Sequence, residues 1–515
     1  MSTPSAKSLL LKGATLLTHS DDQPPRVIPL FNHDLLIENG VIAGIGQDLQ
    51  PRNPDAQVVD CAGKIVSPGF INTHVHLWQS QLKGRHSDDS LLTYFANGHF
   101  PSYVFEPQDT YIGQLAGCLE ALDGGNTTVL DHDHGCQTTA HIEAALKATT
   151  ESGIRAVWAY SEPIRLNKWN DHECEASYNY FDENITSFVE SLVKKQNTPD
   201  AKVQVGLGFD LWFMPKEVTT PLFQRLTSAG VRTITSHVAR DVIQGLGRPY
   251  SNIKDNHELF SADKSYLGFQ HFVPSHSIDM QDGELELLKD LNSKGLNVSI
   301  SNTPTTESTM CMHRAPAFTP QWPTHMSSLG VDCLSAGISY MPSIGTMLLN
   351  SVRIQSNDKY FVKDKYPLKM RGNQQEVFNM MTVYGARALG MDKKDGGIGR
   401  LEVGRKADIA VINTDRPGIG VAAVHNPLDA LLGFSNAGDV EHVLVEGTPV
   451  KWNGKLLPVK QSDGNQLEWQ QVSRDLFKSY RGLTERIEGL NKDKAREMML
   501  DLFHVDTSKF VPGEQ

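Results

Sequence analysis

Cysteine is scarce in this chain of 515 residues: there are six (Cys61, Cys118, Cys136, Cys174, Cys311 and Cys333), with no CxxC pair among them. Such spacing excludes a disulfide framework and predicts reduced, mostly buried thiols. Long hydrophobic runs are missing as well, and none approaches the roughly 20 uninterrupted apolar residues of a membrane span. No Lys/Arg-rich run occurs, and 60 Asp+Glu against 48 Lys+Arg leave a formal net charge of −12. That balance argues against nucleic acid or an anionic membrane as the main partner and leaves a small-molecule substrate as the expectation. Residues 1–6 are small and polar, and the apolar run that follows is broken by Lys12 and Gly13. A signal peptide has basic residues first and a longer apolar run, so a cytoplasmic protein is expected.

What remains is an ordinary globular composition, 39% hydrophobic and 21% charged. The length supports a large core, as two or more domains or as one big barrel with additions. Short strands are predicted at 9–18, 34–37, 41–45 and 64–66, with a tight hairpin at Asn39-Gly40. Similar pieces return at 408–412, 442–446 and 449–452, with turns at Gly447 and Asn453-Gly454. A small β domain built from both chain ends accounts for this.

Between these pieces, apolar strands at 127–130, 156–160, 203–208, 233–236, 272–275, 297–301 and 329–332 alternate with helical segments such as 141–152, 184–195 and 282–293. Strand–helix alternation over some 300 residues implies parallel strands joined by right-handed crossovers, and eight such units close a barrel. Residues 466–503 are charged and helical in pattern, with Leu476, Tyr480, Leu483, Ile487 and Leu490 on one face. Such a helix either packs on the barrel or meets a dimer partner.

The segment Val66-Ser-Pro-Gly-Phe-Ile-Asn-Thr-His74-Val-His76 places two histidines two apart, on one side of a strand. With 19 histidines in the chain, roughly one such pair arises by chance, and His132-Asp-His134 is a second. The stronger signal is where the other donors fall. A catalytic metal needs three or four N/O ligands converging from different strand ends at the C-terminal face of a barrel. His237 ends Val-Arg-Thr-Ile-Thr-Ser, His276 ends Phe-Val-Pro-Ser, and Asp332 follows Leu-Gly-Val.

With these residues in view, the chain from about Leu9 to Leu457 resembles the amidohydrolase superfamily, in its branch of cytosine deaminase, triazine hydrolases and guanine deaminase. The resemblance is carried by residues 66–76, by Gly125-Asn-Thr-Thr-Val-Leu-Asp131, and by His276 with Glu284-Leu-Glu-Leu-Leu288. It extends to Leu329-Gly-Val-Asp332 and Ile398-Gly-Arg-Leu-Glu-Val-Gly-Arg-Lys-Ala-Asp-Ile-Ala-Val-Ile412. It implies an α/β fold: a (β/α)8 TIM-type barrel with a small β-sandwich. The expected division is 1–67 and 393–460 for the sandwich, 68–392 for the barrel, and 461–515 for a helical extension. A homodimer or higher homo-oligomer is expected.

The resemblance further implies that His74, His76, His237 and Asp332 bind one divalent ion, zinc or alternatively iron. The ion would lower the pKa of water towards 7, with Asp332 taking the proton and His276 polarising the atom under attack. No lysine stands at the end of the fourth strand, which favours one metal over two. Trp78, Gln79 and His134 are expected to line the pocket.

One departure from the branch is plain. Aromatic deaminases of this branch carry His-x-x-Glu after the fifth strand, whereas here the residues are His237-Val-Ala-Arg240. A guanidinium stays charged at working pH and relays no proton. Arg240 either binds a substrate carboxylate or phosphate or pairs with Asp241 or another acid. Glu307, on a loop with His313 after the seventh strand, is the candidate substitute relay; the alternative is a solvated loop carboxylate. The expected activity is hydrolysis of a C–N bond in a small cyclic or aromatic substrate by a metal-activated hydroxide. A lyase or decarboxylase on the same site, and a non-catalytic scaffold, are the rivals.

Overall fold

The computed structural model describes residues 8–239, 250, 253, 268–280, 282–313 and 316–511. Eight parallel strand positions close a barrel: Phe70–His76, Asn126–Asp133, Arg155–Ser161, Val203–Gly208, Thr233–Val238, His271–His276, a seventh split into Asn297–Val298 and Ile300–Asn302, and an eighth split into Ser327–Leu329 and Asp332–Cys333. The split eighth strand closes the ring. Its first piece pairs with the seventh strand, and its second pairs with the first through Asp332 opposite Val75. Gly330 lies between the two pieces because a Cβ there would stand 2.8 Å from the His74 carbonyl oxygen.

The barrel strands are near-continuous buried runs, as parallel strands covered on both faces must be. Their lower interior is filled by Ile71, Leu130, Val157, Ala159 and Val273 against Ala386, Ala388 and Ile398 of the segment that follows the barrel. Helices Pro107–Asp123, Thr139–Ser152, Glu183–Gln196, Lys216–Ala229 and Met341–Phe361 surround it.

The two chain ends meet in a nine-stranded sheet around its own core of Leu9, Leu11, Leu35, Ile37, Ile409, Val411 and Leu444. Its hairpin at Asn39-Gly40 adopts positive φ at both residues (51° and 80°), the backbone that an Asn-Gly turn supplies at least cost. Arg155, at the start of the third barrel strand, forks onto Asp408 of the small sheet at 2.8 and 3.1 Å, with both side chains buried. That pair ties sheet to barrel, and leaving one of its charges unpartnered costs roughly 3–5 kcal/mol.

The C-terminal segment is two helices rather than one, Trp469–Glu488 and Lys492–Leu502, with a break at Gly489. Leu483 and Ile487 are buried against Trp78, Leu82 and Phe105. Tyr480 leaves the predicted face, is 40% exposed, and lies under the Arg85 guanidinium. All six cysteines are free, and four are buried. Among the described residues no helix is long and apolar enough to cross a membrane.

Candidate metal centre and active site

The pairing register of the first barrel strand slips between Asn72 and Val75, and the two histidines of this strand stand at that irregularity and just beyond it. His74 Nε2 and His76 Nε2 lie 3.2 and 3.1 Å from Asp332 Oδ1, and His237 Nε2 lies 3.2 Å from His76 Nε2. Donors around a tetrahedral ion with bonds near 2.1 Å stand roughly 3.4 Å apart, so these three separations lie within a few tenths of an ångström of that value. The donor atoms of His74, His237, His276 and Asp332 also lie within 4.8 Å of one another.

The far sides of two of the rings fix which nitrogen faces the centre. His76 Nδ1 lies 2.6 Å from the carbonyl oxygen of His132, and His237 Nδ1 lies 2.9 Å from Asp210 Oδ2. A proton held at each Nδ1 leaves both Nε2 lone pairs free for an ion, the usual arrangement of metal-ligating histidine. Burial drives the pKa of His74 well below its ordinary value, against the pull of Asp332. A neutral imidazole is the ligating form. The donor set therefore fits a divalent ion of the zinc type.

His276 completes the group from the sixth strand. Its Nε2 faces the other oxygen of Asp332, Oδ2, at 3.7 Å, and its Nδ1 lies 2.8 Å from Thr303 Oγ1 and 3.7 Å from Glu307 Oε1. Burial disfavours its imidazolium, but Asp332 and Glu307 outweigh burial, so its pKa is raised. Burial likewise opposes ionisation of Asp332, and His276, His74 and His76 together hold its carboxyl well below the usual range. His276 and Asp332 both have left-handed backbones (φ 65° and 68°). Each such residue costs on the order of 1–3 kcal/mol, and such strain concentrates at functional sites.

Glu307 departs from the picture of a solvated loop. It sits in the first turn of a short helix, Pro304–Thr309, is 3% exposed, and its Oε1 accepts the Thr303 backbone N–H at 2.9 Å. His313 is not brought to the centre: it is exposed on the rim, 3.9 Å from the exposed Asp279. Gln79 is also misplaced as a pocket residue. Its amide donates to Tyr94 Oη and the Gly98 carbonyl, and its oxygen accepts from Ser335 Oγ, so it braces the segment after His76. Arg240 lies outside the described residues.

Trp78 and His134 do flank the centre. The His134 ring is 4.1 Å from that of His76 and 5.6 Å from that of Trp78. Two histidines absent from the sequence reading of the pocket join them: His99, 4.4 Å from His134, and His132, 4.3 Å from His237. His132 had a signal, an inward histidine two before His134 in a buried strand, whereas His99 ends a single π-helical turn, Phe95–His99, that no period in the sequence marks. Trp78 Nε1, His99 Nε2, His134 Nδ1 and His132 Nδ1 are buried without a hydrogen-bond partner, while His132 Nε2 faces Asp210 Oδ2. Burial pushes His99 and His132 down to about 3 and about 4, and drives His134 well below its ordinary value, so this wall is uncharged.

Asp210 has no signal in the sequence pattern. It stands two residues past the fourth strand, and its carboxylate reaches both His237 and His132.

The chain is 25% identical over 463 residues to a 5'-deoxyadenosine deaminase of Methanobrevibacter smithii, covering 88% of this chain and 95% of that one. It is 25% identical over 437 residues to a 5-methylthioadenosine/S-adenosylhomocysteine deaminase of Pyrococcus furiosus, covering 84% and 94%. The fold matches a zinc complex of atrazine chlorohydrolase from Arthrobacter aurescens (TM-score 0.69, 20% identity, 92% and 100% covered). It also matches guanine deaminase from C. acetobutylicum with bound guanine (TM-score 0.67, 16% identity, 86% and 99% covered). The amidohydrolase family model matches residues 65–209 and 253–450. That match takes in the first histidine pair, Asp332 and the return of the chain to the small sheet: the chain belongs to the amidohydrolase family.

Proposed function

We propose that this protein is a metal-dependent hydrolase that cleaves a C–N bond of a small cyclic or aromatic amine, amidine or amide, releasing ammonia or an amine. The observation that carries the reading is the convergence of His74, His76 and His237 Nε2 with Asp332 Oδ1, beside a buried His276–Glu307 pair on the other oxygen of Asp332. His74, His76, His237 and Asp332 hold one divalent ion, and zinc is favoured over iron because solved relatives carry zinc. Such an ion supplies Lewis acidity, which acidifies water and polarises the bond under attack.

The protein side of the reaction divides between the oxygens of Asp332. Oδ1 belongs to the ligand set, and Oδ2 is free to accept a proton. His276 Nε2 faces that oxygen and donates a hydrogen bond to the atom that gains negative charge. Glu307, through Thr303 and His276 Nδ1, favours the charged form of His276 and takes the relay role that Arg240 cannot. The neutral wall of Trp78, His99, His132 and His134 meets a planar substrate that carries several hydrogen-bonding atoms, because each unsatisfied buried nitrogen costs roughly 1–3 kcal/mol until a ligand pairs it.

The test pairs elemental analysis with an ammonia-release panel: 5'-deoxyadenosine, 5-methylthioadenosine, S-adenosylhomocysteine, guanine, an amino-triazine and carboxylated analogues. About one zinc or iron per chain is expected, with turnover of at least one compound and loss of both in the double variant His76→Ala/His237→Ala. Unchanged metal in that variant, or no turnover by metal-loaded protein, overturns the reading.

A further inference from the structure

Far from the metal centre, a cavity of about 380 Å³ opens at the lower end of the barrel, where the first hairpin of the small sheet meets the chain leaving the last barrel helix. Ile71 lies at this end, with its N–H bonded to the Met381 carbonyl, whereas His76 lies at the other, one strand length or roughly 20 Å away. The cavity falls in the about 300–1,000 Å³ range of small-molecule sites.

Four cations line it: Arg387, Lys394, Arg400 and Arg405. Three acids, Asp21, Asp392 and Glu402, also line it, so the wall carries one net positive charge. Two of the acids are already engaged. Glu402 accepts from Arg405 Nε at 2.7 Å, and Asp392 lies 3.5 Å from Arg387 Nε. Arg405 is otherwise used up on the carbonyls of Asp392, Lys393 and Ile398.

Arg400 and Lys394 are not neutralised in this way. Among the described residues the half-buried Arg400 makes a single hydrogen bond, from Nη1 to the Ser20 carbonyl, which leaves most of its five donors for a ligand. Lys394 makes no hydrogen bond or ion pair among the described residues. The surplus charge is felt by its neighbours. Burial, followed by Arg405 as the largest charge effect, lowers the pKa of Arg400 in spite of Glu402 and Asp21. Burial together with Arg400 and Arg405 pushes the nearby His19 down to about 3.

We propose that this cavity binds a phosphate-bearing small molecule, with the Arg400 guanidinium forked on the phosphate and Lys394 as its second charge. A guanidinium offers paired donors that match phosphate oxygens, and an ammonium adds a point charge. The anion bridges the first hairpin and the return segment 398–405, so it acts as a clamp between sheet and barrel, and no step of the hydrolysis depends on it.

The test is thermal unfolding and phosphorus NMR on the full-length, metal-loaded protein at constant low ionic strength. It is titrated separately with inorganic phosphate and adenosine monophosphate, with chloride as the control. A saturable rise in Tm and line broadening are expected in wild type, with affinity weakened about tenfold or more in Arg400→Gln and in Lys394→Gln, the loss of one charge-assisted contact. Arg474→Gln, on the C-terminal helix, binds as wild type. Equal binding of the two ligands assigns free phosphate, and binding of the monophosphate alone assigns a phosphorylated metabolite. No saturable effect in wild type, or wild-type affinity in both cavity variants, overturns the site. Should Arg400→Gln fail to fold, Lys394→Gln decides alone, since Lys394 holds no hydrogen bond or ion pair among the described residues.

Discussion

Asp210 Oδ2 lies 2.9 Å from His237 Nδ1, so a carboxylate at the end of the fourth barrel strand orients the ring whose opposite nitrogen faces the metal centre. The same oxygen is 3.1 Å from His132 Nε2. Carboxylates behind ligating histidines fix the tautomer and raise the basicity of the ligand, and their removal costs roughly 10–100-fold in metal affinity. Asp210→Asn keeps an acceptor but loses the charge. It is expected to lose metal to a chelator at about tenfold lower chelator concentration than wild type, and equal retention would exclude this role.

Glu307→Gln probes the other side of Asp332. Glu307 and Asp332 together raise the pKa of His276 against burial, so removing one carboxylate lets it fall. If charged His276 is the donor, the high-pH limb of kcat/KM moves to lower pH, and kcat drops roughly 10²-fold or more. Metal content stays unchanged, because Glu307 touches no ligand atom of the proposed set. A wild-type pH profile in Glu307→Gln would remove Glu307 from the mechanism.

Much of the candidate site was legible because donors that meet at one face of a barrel must stand at strand ends: the proposed ligands His74, His76, His237 and Asp332, and His276 beside them, each lie at or just past the end of an apolar run. Residues off that rule were not. Gln79 lies three residues after a ligand yet turns into the protein, because Tyr94, Gly98 and Ser335 satisfy all its polar atoms. His99 reaches the pocket through a succession of short helical turns between Leu77 and Val104, whose path depends on packing that no period records. Asp210 carries no signal of its own, because an acid just past a strand end is an ordinary loop residue until the histidine it partners is placed. The amphipathic pattern of the C-terminal segment predicts one helix where there are two, since its apolar face continues across the break at Gly489.

The C-terminal helices reach the pocket indirectly. Leu483 and Ile487 pack on Trp78, while Ser479 and Arg486 bond Asp109 and Ser479 accepts from Gln81. Residues 469–502 lie beyond the part of the chain that the family model matches. Leu483→Ala leaves a cavity behind Trp78 worth roughly 2–5 kcal/mol. A rise in KM is expected with metal retained and kcat less affected. A purely structural role would lower Tm and leave KM unchanged.

Acid sensitivity of the fold follows from His19, which stacks on Phe378 at 5.4 Å and is buried beside Arg400 and Arg405. Burial, then the two arginines, pushes its pKa to about 3, against 6.5 for the free side chain. The folded state thus holds His19 neutral, while the unfolded chain takes up a proton as pH falls below about 6.5. The stability this group contributes is therefore fully present above pH 6.5 and lost as pH falls from there towards about 3, at up to roughly 1.4 kcal/mol per pH unit. His271 and His442, both pushed down to about 4 by burial, act with the same sign. His19→Phe keeps the stacking and removes the proton. Urea unfolding between pH 7 and pH 4.5 should show a shallower loss of stability in the variant than in wild type. If the two curves stay parallel, the imidazole is already protonated in the folded state and the arginine field at this junction is weaker than the structure implies.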